Sequence, residues 1–300
     1  MNQSSCDSGA DAPLKALKIS TALARIKSKI VVLSGKGGVG KSTVAANLAA
    51  GLALEGFKTG LLDVDIHGPS IPRIMGLIGV KPEMAGDAIL PVEWNWNLKV
   101  VSMGFFLTDP DVPVVWRGPV KGGVIKQFIE GVAWGDLDCL VVDCPPGTGD
   151  EPLSVMQLLG TDAVALVITS PQDIAIDDVR RSVGFCRELG NPVLGIVENL
   201  SGFHCPQCGT VHDIFKSGGG ERLAEAAGVS FLGRIPIDGK VGTAADQGEA
   251  YLAVKSDSPA AKAFRQVVVA AQRHVAGSRN EAANEKILET APKSEWHSYL

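Results

Sequence analysis

From residue 29 onward the chain alternates between two patterns of apolar and polar positions. Short, uninterrupted apolar runs recur at 30–33, 59–62, 100–103, 139–142, 163–168, 193–197 and 231–235. Between or after them lie longer stretches with helical spacing, at 42–55, 173–189, 221–227 and 259–275. An apolar run without polar alternation suits a strand covered on both faces, and such strands are parallel and joined by helical crossovers. The pattern predicts an α/β fold, a doubly wound, mostly parallel sheet with helices on both faces, in one domain over 29–276. Residues 1–28 read as a polar extension, with apolar spacing over 14–26 that suits a short lead-in helix. Residues 277–300, rich in Ser, Arg, Asn, Glu and Lys, read as a polar, disordered tail.

Composition narrows the function classes. With 45% hydrophobic residues in 300, the chain can bury a large core. A formal net charge of -5 argues against a nucleic-acid partner, which calls for a basic face. Six scattered cysteines do not make a disulfide framework, and Cys139, Cys144 and Cys186 sit in apolar surroundings as structural thiols do. No apolar run reaches the ~20 residues that cross a bilayer, and the first residues lack the shape of a signal peptide. Ile287 and Leu288, followed by Pro292, are too little for an amphipathic anchor. The expectation is a cytoplasmic protein without a membrane partner.

The most specific signal follows the first apolar run. Gly35-Lys36-Gly37-Gly38-Val39-Gly40-Lys41-Ser42-Thr43 satisfies the GxxxxGK[ST] pattern. Backbone N–H groups must close around phosphate oxygens there, and side chains would block the approach. A helix starting at Ser42 aims its positive end at the anion. Lys41 is then placed to neutralise the β and γ phosphates, and the Ser42 hydroxyl to ligate Mg²⁺. The preceding strand and the stripe Val44, Leu48, Leu52 supply the setting that the motif requires, so ATP is the expected ligand. Asp143 ends the run at 139–142, where a magnesium-supporting carboxylate is expected, and leads into Cys144-Pro145-Pro146-Gly147-Thr148-Gly149-Asp150. Asp63 and Asp65 follow the run at 59–62 and emerge at the same carboxyl edge. One of them suits the attacking water and the other magnesium.

These residues resemble a known family. The second lysine, Lys36, in the glycine-rich loop resembles the deviant Walker A motif of the MinD/ParA-like ATPases. Asp63-Val64-Asp65-Ile66-His67-Gly68-Pro69-Ser70-Ile71-Pro72, the segment from Asp143 to Asp150, and Trp116-Arg117-Gly118-Pro119 look more specifically like the Mrp/ApbC branch. So do Glu198-Asn199-Leu200-Ser201, Cys205-Pro206-Gln207-Cys208-Gly209, and the stretch from Gly218 to Asp238. The resemblance runs from about Lys29 to Ala276 and implies an ATP-hydrolysing carrier that holds a labile iron–sulfur cluster and passes it to apo-proteins. It implies that Lys36 acts across a homodimer, that Asp65 positions water with Asp63 near magnesium, and that Asn199 and a loop around Pro236 face the adenine. Only Cys6 stands where cytosolic scaffolds of this kind carry four N-terminal cysteines, so a second cluster is not expected.

Cys205 and Cys208 form a CxxC turn that aims two thiolates at one metal. Iron–sulfur clusters and structural zinc commonly take four ligands. A two-fold dimer supplies four thiolates on its axis. Alternatively, Cys205, Cys208 and His212 begin a zinc site within one chain, which composition alone favours. A redox dithiol is the third reading. The resemblance shifts the choice to a cluster, 4Fe–4S, bridging two chains. Two other function classes stay open: a positioning or partitioning ATPase of the same fold, and a zinc-stabilised scaffold.

Overall fold

The computed structural model describes residues 23–107, 118–254 and 256–290. Their strands are β1 (Ile26–Ser34), β2 (Thr59–Asp63), β3 (Met84–Ala85), β4 (Ala88–Ile89), β5 (Val92–Asn95), β6 (Leu98–Ser102), β7 (Leu137–Asp143), β8 (Val164–Thr169), β9 (Val193–His204), β10 (Val211–His212) and β11 (Phe231–Ile237). The helices are α1 (Lys41–Leu54), α2 (Ile71–Ile74), α3 (Gly118–Glu130), α4 (Asp150–Leu159), α5 (Asp173–Glu188), α6 (Gly219–Ala227), α7 (Gly239–Gln247) and α8 (Pro259–Thr290).

The sheet runs β10-β9-β8-β1-β7-β2-β6-β5, with β11 also paired to β9. All pairings among β1, β2, β6, β7, β8, β9 and β11 are parallel. Only β5 and β10 join antiparallel, at its margins. The doubly wound expectation holds, and its reason is visible in β1. Ile30 and Val32 enter a core with α1 and α8, while Val31 and Leu33 enter a second core with α3, α4 and α5. Where a strand has a core on each face, as β1 does from Ile30 to Leu33, every position is apolar.

Several elements were not legible as apolar runs. The two-residue strands and helix α2 are too short for a periodic signal, and α7 buries too little, Ala244 alone, to show one. Helix α4 starts in a Pro/Gly-rich turn, with Pro152 in its first turn, where the missing N–H costs nothing. Strand β9 continues past Val197 to His204 through Glu198, Asn199 and Ser201, polar residues that are buried because each has a partner. Met103 begins a 3₁₀ turn instead of ending β6. Helix α8 continues to Thr290, so the backbone is helical through much of what reads as tail. Ile26 begins β1; the rest of the expected lead-in helix up to residue 22 lies outside the described residues, as do Cys6, Trp116, Arg117 and residues 291–300. Among the described residues no helix is long and apolar enough to cross a membrane.

Candidate nucleotide site and cysteine turn

The carboxyl ends of β1, β2 and β7 meet around the glycine-rich loop. Ser34 ends β1, its Oγ donates to the Lys36 carbonyl at 3.0 Å, and its own carbonyl accepts from Gly147 N at 2.7 Å. Gly38 and Gly40 turn at φ +80° and +81°, a left-handed backbone that favours glycine. A Cβ on Gly37 or Gly38 would meet nothing within 4 Å, so the approach to their amides is open. Helix α1 begins at Lys41 without a side-chain cap on its first amides. That leaves orphan N–H groups and a positive dipole end beside the loop, the surroundings a phosphate needs.

Three carboxylates lie behind it. Asp63 and Asp143 are register partners on β2 and β7, and both are fully buried. The Lys41 ammonium pairs with Asp143 Oδ1, while Asp143 Oδ2 is buried without a hydrogen-bond partner among the described residues. Asp63 accepts from Ser102 Oγ at 2.8 Å and from Asp65 N at 3.0 Å. Burial first, then the nearby Asp143 charge, pushes the Asp63 carboxyl up to about 8, in spite of those two donors. Burial also pushes Asp143 up, opposed by Lys41. Burial works against the Lys41 charge, but Asp143, Asp65 and Asp63 hold its proton above the ordinary lysine range. Asp65 is nearly buried and accepts from His67 N and Gly68 N, both at 3.2 Å. Ser42 Oγ lies 3.3 Å from Lys41 Nζ. An orphaned carboxylate oxygen beside a serine hydroxyl fits the donor set of a hard cation such as Mg²⁺. Burial raises the Cys144 thiol, which suits a structural residue.

The two residues expected to face the adenine, Asn199 and Pro236, are held in the following way. The Asn199 side chain is buried and donates to the Val39 carbonyl at 2.8 Å, under the phosphate loop. A Cβ on Gly40 would come within 2.2 Å of it. Pro236 is not on a loop: it is a buried residue of β11, at the register shift between Ile235 and Ile237. A bulge is where a strand tolerates a residue that cannot donate. Lys36 reaches Gln172 Oε1 at 3.5 Å, and Asp150 is exposed in the first turn of α4.

Cys205 and Cys208 sit in the turn between β9 and β10, the first half-buried and the second exposed. The turn is closed by Cys205 N to Thr210 O and Gly209 N to Cys205 O, both 2.9 Å. Thr210, with Oγ1 at 3.3 Å from Cys208 Sγ, and then Cys205 hold the Cys208 thiol below its ordinary value. That favours the thiolate, the form that ligates metals. His212 does not complete a site with them: among the described residues no group of three or more His, Cys, Asp or Glu side chains is placed to hold a metal ion. Exposed Val211, Ile214 and Phe215 flank the turn. Ser102 and Thr210 carry no motif; only the register of β6 against β2 and the closure of the turn reveal them.

The ParA family, described as NUBPL iron-transfer P-loop NTPases, matches residues 25–272. An iron-sulfur cluster carrier protein of Methanocaldococcus jannaschii is 47% identical over 263 residues, covering 87% of this chain and 90% of that one. A cytosolic Fe-S cluster assembly factor NUBP2 homolog of Trichoplax adhaerens is also 47% identical, over 82% of this chain and 95% of its own. Among solved structures, a nucleotide-binding protein of Archaeoglobus fulgidus in complex with ADP matches with TM-score 0.70 at 38% identity, covering 78% of this chain and 92% of that one. The Pyrococcus furiosus cell division ATPase MinD shares the fold at TM-score 0.62 and 23% identity, over 82% of this chain and 99% of its own. With the family spanning the sheet, the phosphate loop and the cysteine turn alike, the chain belongs to the ParA/NUBPL family of iron-transfer P-loop NTPases.

Proposed function

We propose that this chain hydrolyses magnesium–ATP and carries a labile 4Fe–4S cluster between the Cys205/Cys208 turns of two copies, for delivery to cytoplasmic apo-proteins. The observation that carries this reading is the cysteine turn itself. It offers two thiols with one biased towards thiolate, no third His, Cys, Asp or Glu ligand gathers around them among the described residues, and exposed apolar residues flank them. Four thiolates on a dimer axis complete a Cys₄ set. The name of the 47%-identical carrier relative and the ADP held by the Archaeoglobus neighbour support the cargo and the nucleotide. A positioning ATPase shares the fold and Lys36 but has no use for the turn.

On this reading the amides of Gly35–Thr43 hold the phosphates, and Lys41 moves from Asp143 onto the β and γ oxygens. Asp143, freed of Lys41, supports the magnesium shell with Ser42 and Asp63. Bound magnesium supplies charge neutralisation across those oxygens. Asp65 orients the attacking water and accepts its proton, and Lys36 of a second copy stabilises the charge that develops. Asn199 supports the loop from below through the Val39 carbonyl.

Anaerobic purification followed by metal analysis tests the carrier reading. About four irons per dimer are expected, as one cubane requires. Cys205→Ala and Cys208→Ala are expected to lose the iron and keep ATP affinity. Stoichiometric zinc in the monomer, with no iron taken up on reconstitution, defeats it.

A further inference from the structure

Glu198 is fully buried on β9, one residue before Asn199, and the nucleotide chemistry makes no use of it. A buried carboxylate persists only with several partners, and this one has them on both sides of the cysteine turn. On the approaching side, Ser201 Oγ donates to Oε1 at 2.6 Å. On the returning side, Gly218 N donates to Oε1 at 2.9 Å and Gly220 N to Oε2 at 2.5 Å. Arg234 Nε of β11 stands 3.5 Å from Oε1. One carboxylate therefore closes the base of the whole excursion from Ser201 to Gly218, with Cys205 and Cys208 at its far end. The fit is tight: a Cβ on Gly220 would lie 3.2 Å from both Glu198 Cβ and Oε2. The next residue along the strand, Asn199, holds the phosphate loop through the Val39 carbonyl. Immediately after it Leu200 adopts φ +58°, a left-handed conformation uncommon for a non-glycine residue, and Gly202 follows at φ +80°. The hydrogen bond from Ser201 back to Glu198 spans that kink.

We infer that Glu198 is a positioning residue that makes the cysteine turn follow the state of the phosphate loop. A shift of the loop is passed through Asn199 to β9, and Glu198 carries both ends of the turn with it. Without the carboxylate the kink at Leu200 takes up the shift and the turn stays put. This rests on the proposed nucleotide and cysteine roles, so the readout must not require a cluster.

The test is the alkylation rate of each cysteine in metal-free protein, read by mass spectrometry with and without a magnesium-bound, non-hydrolysable ATP analogue. Buried Cys139 and Cys186 serve as internal references. In the wild type, bound analogue is expected to change the Cys205 and Cys208 rates about fivefold or more, the scale of ordinary coupling between sites. In Glu198→Gln the change is expected to fall below about twofold with analogue affinity kept, because an amide N–H₂ cannot accept from the glycine amides. Ser201→Ala, a milder change that removes one donor, is expected to lie between the two and covers the case in which the glutamine variant does not fold. A residue of purely structural importance would lower the melting temperature and leave the fold-change intact. Full nucleotide dependence in both variants, or none in the analogue-bound wild type, overturns the inference. Coupling without any iron uptake on reconstitution defeats the carrier reading alone.

Discussion

At the scale of single residues, the proton on Asp63 is open to direct measurement. Its folded-state value is about 8, against an ordinary 3.8, so between these values the folded chain binds more protons than the unfolded one. The contribution is therefore present at low pH, falls as pH rises through that window, and is flat above it. The nucleotide-free protein is expected to lose melting temperature as pH rises from about 5 to about 8, and Asp63→Asn to flatten that slope. Equal slopes in the two proteins would show that Asp63 is already ionised. Lys41→Ala is expected to weaken magnesium–ATP binding by at least about a hundredfold, since it removes the cation proposed to neutralise the β and γ phosphates. Titration with a fluorescent ATP analogue checks this, and unchanged affinity removes the phosphate-loop assignment. These residues were legible in sequence because phosphate chemistry restricts both their type and their spacing. Asn199 and Pro236 were legible as members of a family pattern, but their placement was not. That the Asn199 amide reaches the Val39 carbonyl depends on the depth of its strand, which no spacing encodes.

Among the elements, the long parallel strands were readable for the same reason that they are buried. Each has a core on both faces, so its apolar run is unbroken. What escaped was short or polar: α2, α7, β10 and the second half of β9 are held by backbone closures and side-chain acceptors. The contact between α2 and α7 shows how little side chain such packing uses. Gly248 caps α7 at φ +76°, and a Cβ there would come within 2.5 Å of Gly76 Cα. Neither backbone can yield as a side chain would. Gly248→Ala is expected to cost about 2 kcal/mol or more, measured by denaturant unfolding. A cost near zero would mean that the two turns separate freely.

For the molecule as a whole, the proposed reading makes two copies the working unit. If Lys36 completes the partner's site, neither Lys36→Ala nor Asp65→Ala is active alone. Equal mixing is then expected to restore about a quarter of wild-type turnover, because half the dimers are mixed and each has one complete site. Phosphate release measured against mixing ratio checks this, and no recovery at any ratio places Lys36 in its own site. The order in which that site assembles follows from the pairing of Lys41 with Asp143. While the ammonium rests on that carboxylate, a divalent cation arriving there meets a like charge at hydrogen-bond distance. The metal has no welcome until the lysine has somewhere better to go, and only phosphate oxygens offer that. On the proposed reading one lysine thus makes metal occupancy conditional on phosphate occupancy, so that magnesium and nucleotide would be admitted together.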